Sequence, residues 1–79
     1  MQSEEVAKIL SEALSECEIT VTGEGNHFQL IVVGEMFEGL SSVKRQQSIY
    51  ACLNSYIADG TIHAITMKVY TPAEWKSVS

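Results

Sequence analysis

The chain has 79 residues, of which 46% are hydrophobic, 8% aromatic and 19% charged, a composition that suits one compact domain spanning 1–79 and not a disordered segment. Ten Asp and Glu against five Lys and Arg give a net charge of −5, which excludes attraction of a nucleic acid over the whole surface and leaves such a role only to a local patch. Two cysteines, an acidic start and no apolar run of membrane-spanning length predict a reduced, cytoplasmic protein with no disulfide framework, signal peptide or membrane segment.

Ser3 as a cap, with Glu4 and Glu5 in the first turn, predicts a helix over residues 3–16. Val6, Ile9, Leu10, Ala13 and Leu14 recur on one face of it, while Lys8, Ser11, Glu12 and Ser15 fill the other. Residues 18–22 alternate with period two and read as a strand with one wet face. Residues 23–26 hold two glycines and supply the turn, and 27–33 form the second strand of an antiparallel hairpin. The unbroken apolar run 30–33 suits a central strand. A connector over 35–42 carries Met36, Phe37 and Leu40 as expected anchors, and Ser41 or Ser42 can cap the next helix. Val43, Gln47, Tyr50, Leu53 and Ile57 fall near one stripe of that helix, widened by Ile49 and Tyr56, and Gly60 suits its C-terminal stop.

From residue 62 the pattern returns to period two. His63, Ile65, Met67 and Val69 share one face, and Ala64, Thr66, Lys68 and Tyr70 the other. Thr71 and Glu74 then form a Thr-x-x-Glu capping box with Pro72 at the first helical position, so a short terminal helix carries Trp75 against the sheet or the first helix. The order αββαβ(α) is an α+β arrangement. The second and third strands are joined by a helix and should therefore run parallel through a right-handed crossover. A three-stranded mixed sheet of order 1-2-3 follows, with helices on one face. The other face is left open, carrying Thr20 or Thr22, Thr66, Lys68 and Tyr70. Parallel neighbours about 4.8 Å apart start at the same end, which brings His27 and His63 near one another.

No nucleophile–base order, phosphate loop or pocketed carboxylate pair is visible, so no catalytic constellation is expected. Cys52 sits mid-helix beside the apolar stripe and Cys17 lies at the far end of the hairpin, so both read as structural. The residues alone favour His63 as a strand-end imidazole satisfying a backbone carbonyl over a metal ligand, because metal sites need convergent donors. His27 reads equally as a turn residue beside Phe28. Lys44 and Arg45 form the one basic pair.

Five segments nevertheless resemble the BolA family, and the resemblance covers nearly the whole chain. They are Gly25-Asn26-His27-Phe28, Val33-Gly34-Glu35-Met36-Phe37-Glu38-Gly39, Arg45 early in its helix, Ile62-His63-Ala64, and Thr71-Pro72-Ala73-Glu74-Trp75. The resemblance implies a class II KH-like fold and a non-enzymatic adaptor, a monomer or weak homodimer when alone and without a cofactor of its own. It further implies pairing with a monothiol glutaredoxin around a shared 2Fe–2S cluster, in iron homeostasis and stress response. His63 would supply a nitrogen ligand, while glutaredoxin and glutathione supply thiolates; imidazole in place of thiolate raises such a cluster's potential. The family's second ligand usually lies in the loop between the first two strands. That loop is short and cysteine-free here, which leaves His27 as the candidate. The alternative implied role is a DNA-binding regulator with Lys44 and Arg45 on phosphates. The family's Arg-His-Arg reads Lys44-Arg45-Gln46-Gln47 in this chain, and the 38–42 loop has one glycine where a nucleic-acid-gripping KH loop has Gly-x-x-Gly.

Overall fold

A computed structural model describes residues 1–25 and 27–78. Helix α1, Ser3–Ala13, is held at its start by the Gln2 N–H donating to Glu5 Oε1 at 3.0 Å, so the cap is Gln2 and Ser3 is already helical. Regular helix ends at Ala13 rather than at residue 16, with Leu14 N still donating to Leu10 O. Its stripe buries Val6, Leu10 and Leu14 against the sheet, as the spacing required.

Strand β1, Glu18–Glu24, pairs antiparallel with β2, His27–Val33, from Glu18 opposite Val33 to Glu24 opposite His27. The strand is two residues longer than its side-chain alternation suggested. Gly23 explains the extension: its φ is +120°, and a β-carbon there would run into the His27 carbonyl, so only glycine lets the pairing continue. Asn26, counted in the expected turn, lies outside the described residues.

Phe28, Leu30 and Val32 of β2 face the helices and are buried. A short 3₁₀ turn, Glu35–Phe37, leads out of the sheet and drives Phe37 into the core. Met36, its neighbour, was expected as a second anchor but is half-exposed, since adjacent residues on so tight a turn cannot both face inward.

Helix α2, Ser42–Ala58, is capped by Ser41, whose Oγ accepts from Lys44 N at 3.3 Å. Its buried face differs from the expected stripe. Ile49 and Leu53 are fully buried with Cys52, Tyr56 and Ile57 beside them, whereas Val43 and Tyr50 are 59% and 38% exposed. The inward row begins at Arg45, a residue whose charge hides it from any apolar periodicity. Gly60, at φ +82°, stops the helix, and Ile62 N donates back to Tyr56 O at 3.0 Å.

Strand β3, Ala64–Tyr70, then runs parallel to β2, from Ala64 opposite His27 to Tyr70 opposite Val33, giving the order β1-β2-β3. Helices α1 and α2 cover one face, and Thr20, Thr22, Thr66 and Lys68 stand exposed on the other. Helix α3, Pro72–Val78, carries the expected capping box: Glu74 N donates to Thr71 Oγ1 at 3.2 Å and Thr71 N to Glu74 Oε1 at 2.9 Å. Trp75 packs on the sheet, its ring 5.4 Å from that of Tyr70 and tilted by 45°. No described helix is long and apolar enough to cross a membrane.

Candidate functional site

The end of the sheet where β2 and β3 both begin is built by a crossover. Ile62 is buried to 1% and its N–H is tied to the last turn of α2, so the chain enters β3 from a fixed point. The next residue, His63, is exposed and precedes the strand, a correction to its expected place on the apolar face; Ile62 is the side chain that fills the core there. The His63 Nε2 atom lies 3.7 Å from where a β-carbon on Gly60 would stand, an ordinary contact distance that places the imidazole beside the glycine ending α2. Asp59 tightens the same corner by accepting from Thr61 N at 2.9 Å, and the Thr61 side chain, followed by that N–H, lowers its carboxyl from the usual value.

His27 is placed by a different element. It pairs with Ala64 and, alternating with buried Phe28, belongs to the outer face, where it lines a shallow hollow with Thr22, Gln29 and Thr66. The topology therefore brings both histidines to one end of the sheet, His27 on the open face and His63 beside the end of α2.

The fit of this corner to an iron–sulfur cluster is limited to donation of imidazole. Among the described residues no group of three His, Cys, Asp or Glu side chains could hold a metal. The cysteines are elsewhere: Cys52 Sγ donates to Ser48 O within α2, and Cys17 precedes β1 at the opposite end. Burial pushes both thiols up, with Glu16 adding to the rise at Cys17, which suits structural residues and not ready thiolates.

The basic pair is divided. Lys44 is exposed, but the Arg45 guanidinium is 13% exposed and held within the fold. It donates to Leu40 O at 3.0 Å, to Val69 O at 3.2 Å, and to both Glu74 oxygens at 2.6 and 3.3 Å. This fork ties α2 to the end of β3 and to α3. Its bonds, followed by that from Thr71 N, bring the Glu74 carboxyl down to about 2. Glu74 was legible as a capping residue, but its pairing with Arg45, 29 positions away, carried no local signal.

An αββαβ sheet with a histidine ahead of its last strand and a Thr-Pro-Ala-Glu-Trp helix behind it defines a small BolA-type domain. The chain belongs to this family: the BolA-like protein family matches residues 3–74. It is similar to the acid stress protein IbaG of Escherichia coli strain K12, at 53% identity over 75 residues that cover 95% of this chain and 89% of that one. Among solved structures it resembles a BolA homologue from Coxiella burnetii, with a TM-score of 0.84 and 30% identity over 96% of this chain and 97% of the other. It also resembles the BolA domain of SufE1 from Arabidopsis thaliana, with a TM-score of 0.80 and 30% identity over 91% and 93% of the two chains.

Proposed function

We propose that this protein is a non-enzymatic, cytoplasmic adaptor that binds a monothiol glutaredoxin and shares or hands over a 2Fe–2S cluster in iron–sulfur trafficking and iron homeostasis. The observation that carries this reading is His63, an exposed imidazole on a backbone fixed by buried Ile62 and the Gly60 stop. An exposed imidazole on so fixed a backbone is open to a metal on a partner, and the main chain that carries it needs no reordering on ligation. The cluster is cargo: this chain contributes nitrogen, and the thiolates come from glutaredoxin and glutathione. Imidazole in place of thiolate on one iron raises the cluster's potential. His27, on the neighbouring face, is the candidate second donor from this chain. The name of the Escherichia coli relative, an acid stress protein, supports a place in stress response. Alone, the protein would be a monomer or weak homodimer.

Anaerobic mixing with cluster-loaded monothiol glutaredoxin and glutathione tests the reading, with the visible spectrum and nitrogen-sensitive pulsed electron resonance as readouts. A new spectrum and a nitrogen coupling that vanish in His63→Ala, with a smaller effect from His27→Ala, are expected. No heterodimer and an unchanged spectrum would end the proposal. The reverse ranking of the two variants would move the ligand to His27. The alternative role in DNA binding loses one of its two cations, because Arg45 is engaged with Glu74.

A further inference from the structure

The end of the sheet opposite the histidines, where β1 begins and β2 and β3 finish, holds a second concave feature, a cleft of about 600 Å³. Its apolar lining comes from Val33, Met36, Pro72 and Trp75. Single exposed apolar side chains are ordinary. Here, however, a half-exposed methionine and a half-buried tryptophan share one hollow of the size that small ligands and peptide side chains occupy. The charges around it are uneven: Glu16, Glu18 and Glu35 line the cleft and are exposed, against Lys76 as the one cation in the lining. The Cys17 thiol in the same lining registers Glu16, which adds to the rise that burial causes.

We propose that this cleft docks a short segment of a protein partner carrying one or two large apolar side chains flanked by Lys or Arg. The apolar lining takes the side chains, and the three carboxylates select the flanking cations and repel acidic competitors. Methionine at the surface can repack around differing anchors, which favours tolerance of sequence within that pattern. Seven paired residues, at about 3.3 Å each, set the cleft roughly 20 Å from the histidine end. Both ends of the molecule can therefore be occupied together, and the docking stands whether or not His63 meets a cluster.

Trp75 is the only tryptophan in the chain, so its fluorescence reports on the cleft directly. The full chain is titrated with the peptide acetyl-Lys-Leu-Leu-Lys-amide, with acetyl-Glu-Leu-Leu-Glu-amide and acetyl-Lys-Ser-Ser-Lys-amide as comparisons. The first should give a saturable change that weakens as salt rises from about 20 to about 300 mM, because exposed charges are screened. The two comparison peptides, and the Glu18→Gln/Glu35→Gln variant with the first, should bind about tenfold more weakly or worse. Amide chemical shifts should move in segments 16–18, 33–36 and 72–76. Equal response to the acidic peptide, undiminished binding by the double variant, or shifts confined to other segments would overturn the proposal. So would the absence of both fluorescence and amide changes.

Discussion

Which face α2 turns inward can be decided by exchanging two of its β-branched residues for alanine. Ile49 is 0% exposed, while Val43, six positions earlier, is 59% exposed. Truncating a fully buried isoleucine removes its transfer energy and leaves a cavity, which together cost about 2–5 kcal/mol. Truncating an exposed valine removes little burial and places a better helix former in the first turns, so the change should stay within about 0.5 kcal/mol. In a domain of this size 1 kcal/mol is worth about 4–8 °C, so a mid-range loss of about 3 kcal/mol at Ile49 lowers Tm by about 12–24 °C. Total stability for 79 residues is on the order of 4–12 kcal/mol, so Ile49→Ala approaches the limit of folding and Ile49→Val, at about 0.5–1.5 kcal/mol, gives a measurable intermediate. Urea and thermal unfolding followed by circular dichroism supply the numbers. A loss at Val43 equal to that at Ile49 would refute the assignment of the helix face.

Glu74→Gln should destabilise the fold near neutrality and less so in acid. The carboxyl is depressed in the folded state to about 2, first by Arg45 and then by Thr71 N, so its contribution is complete above the unfolded value near 4.5 and disappears as pH falls toward 2. The gap between wild-type and variant urea midpoints should close over that window, and a constant gap from pH 7 to about pH 2 would contradict it. Arg45→Ala should lower the unfolding midpoint clearly, because the Leu40 and Val69 carbonyls and Glu74 all lose a donor, whereas Lys44→Ala should leave it nearly unchanged. Gly34→Ala should cost about 1–3 kcal/mol although its backbone is extended, because the added β-carbon overlaps Cys17 Sγ; adding Cys17→Ala in the same chain should recover most of the loss.

The sheet was legible because its determinants are local. Alternation in 18–22 and 64–70, two glycines at the hairpin and the run 30–33 each constrain one neighbour, and the parallel pairing follows once a helix joins β2 to β3. The α3 cap was equally plain, since Thr71 and Glu74 meet within one turn. The inward face of α2 was hidden by Arg45, which occupies a core-side row through its backbone and carboxylate partners and not through apolar burial. His63 was assigned to the strand because alternation continues through it; what shifts it is the bond from Ile62 N to Tyr56 O, a detail of how α2 ends. The cleft around Trp75 was invisible for a third reason. Its walls come from the start of β1, the end of β2 and α3, segments that become neighbours only when the sheet is complete.

The parallel pairing of His27 with Ala64 spans 37 positions of chain, and it fixes when the histidine corner can exist. As the protein leaves the ribosome, α1 and the β1–β2 hairpin can assemble from contacts close in sequence, but the seat of His63 is absent until the crossover helix has formed and the final strand has docked. A nascent or clipped chain ending before β3 would thus display a half-sheet with an unpaired central strand and no means of presenting the imidazole. The imidazole is thus set in its place only by the last third of the chain to be made.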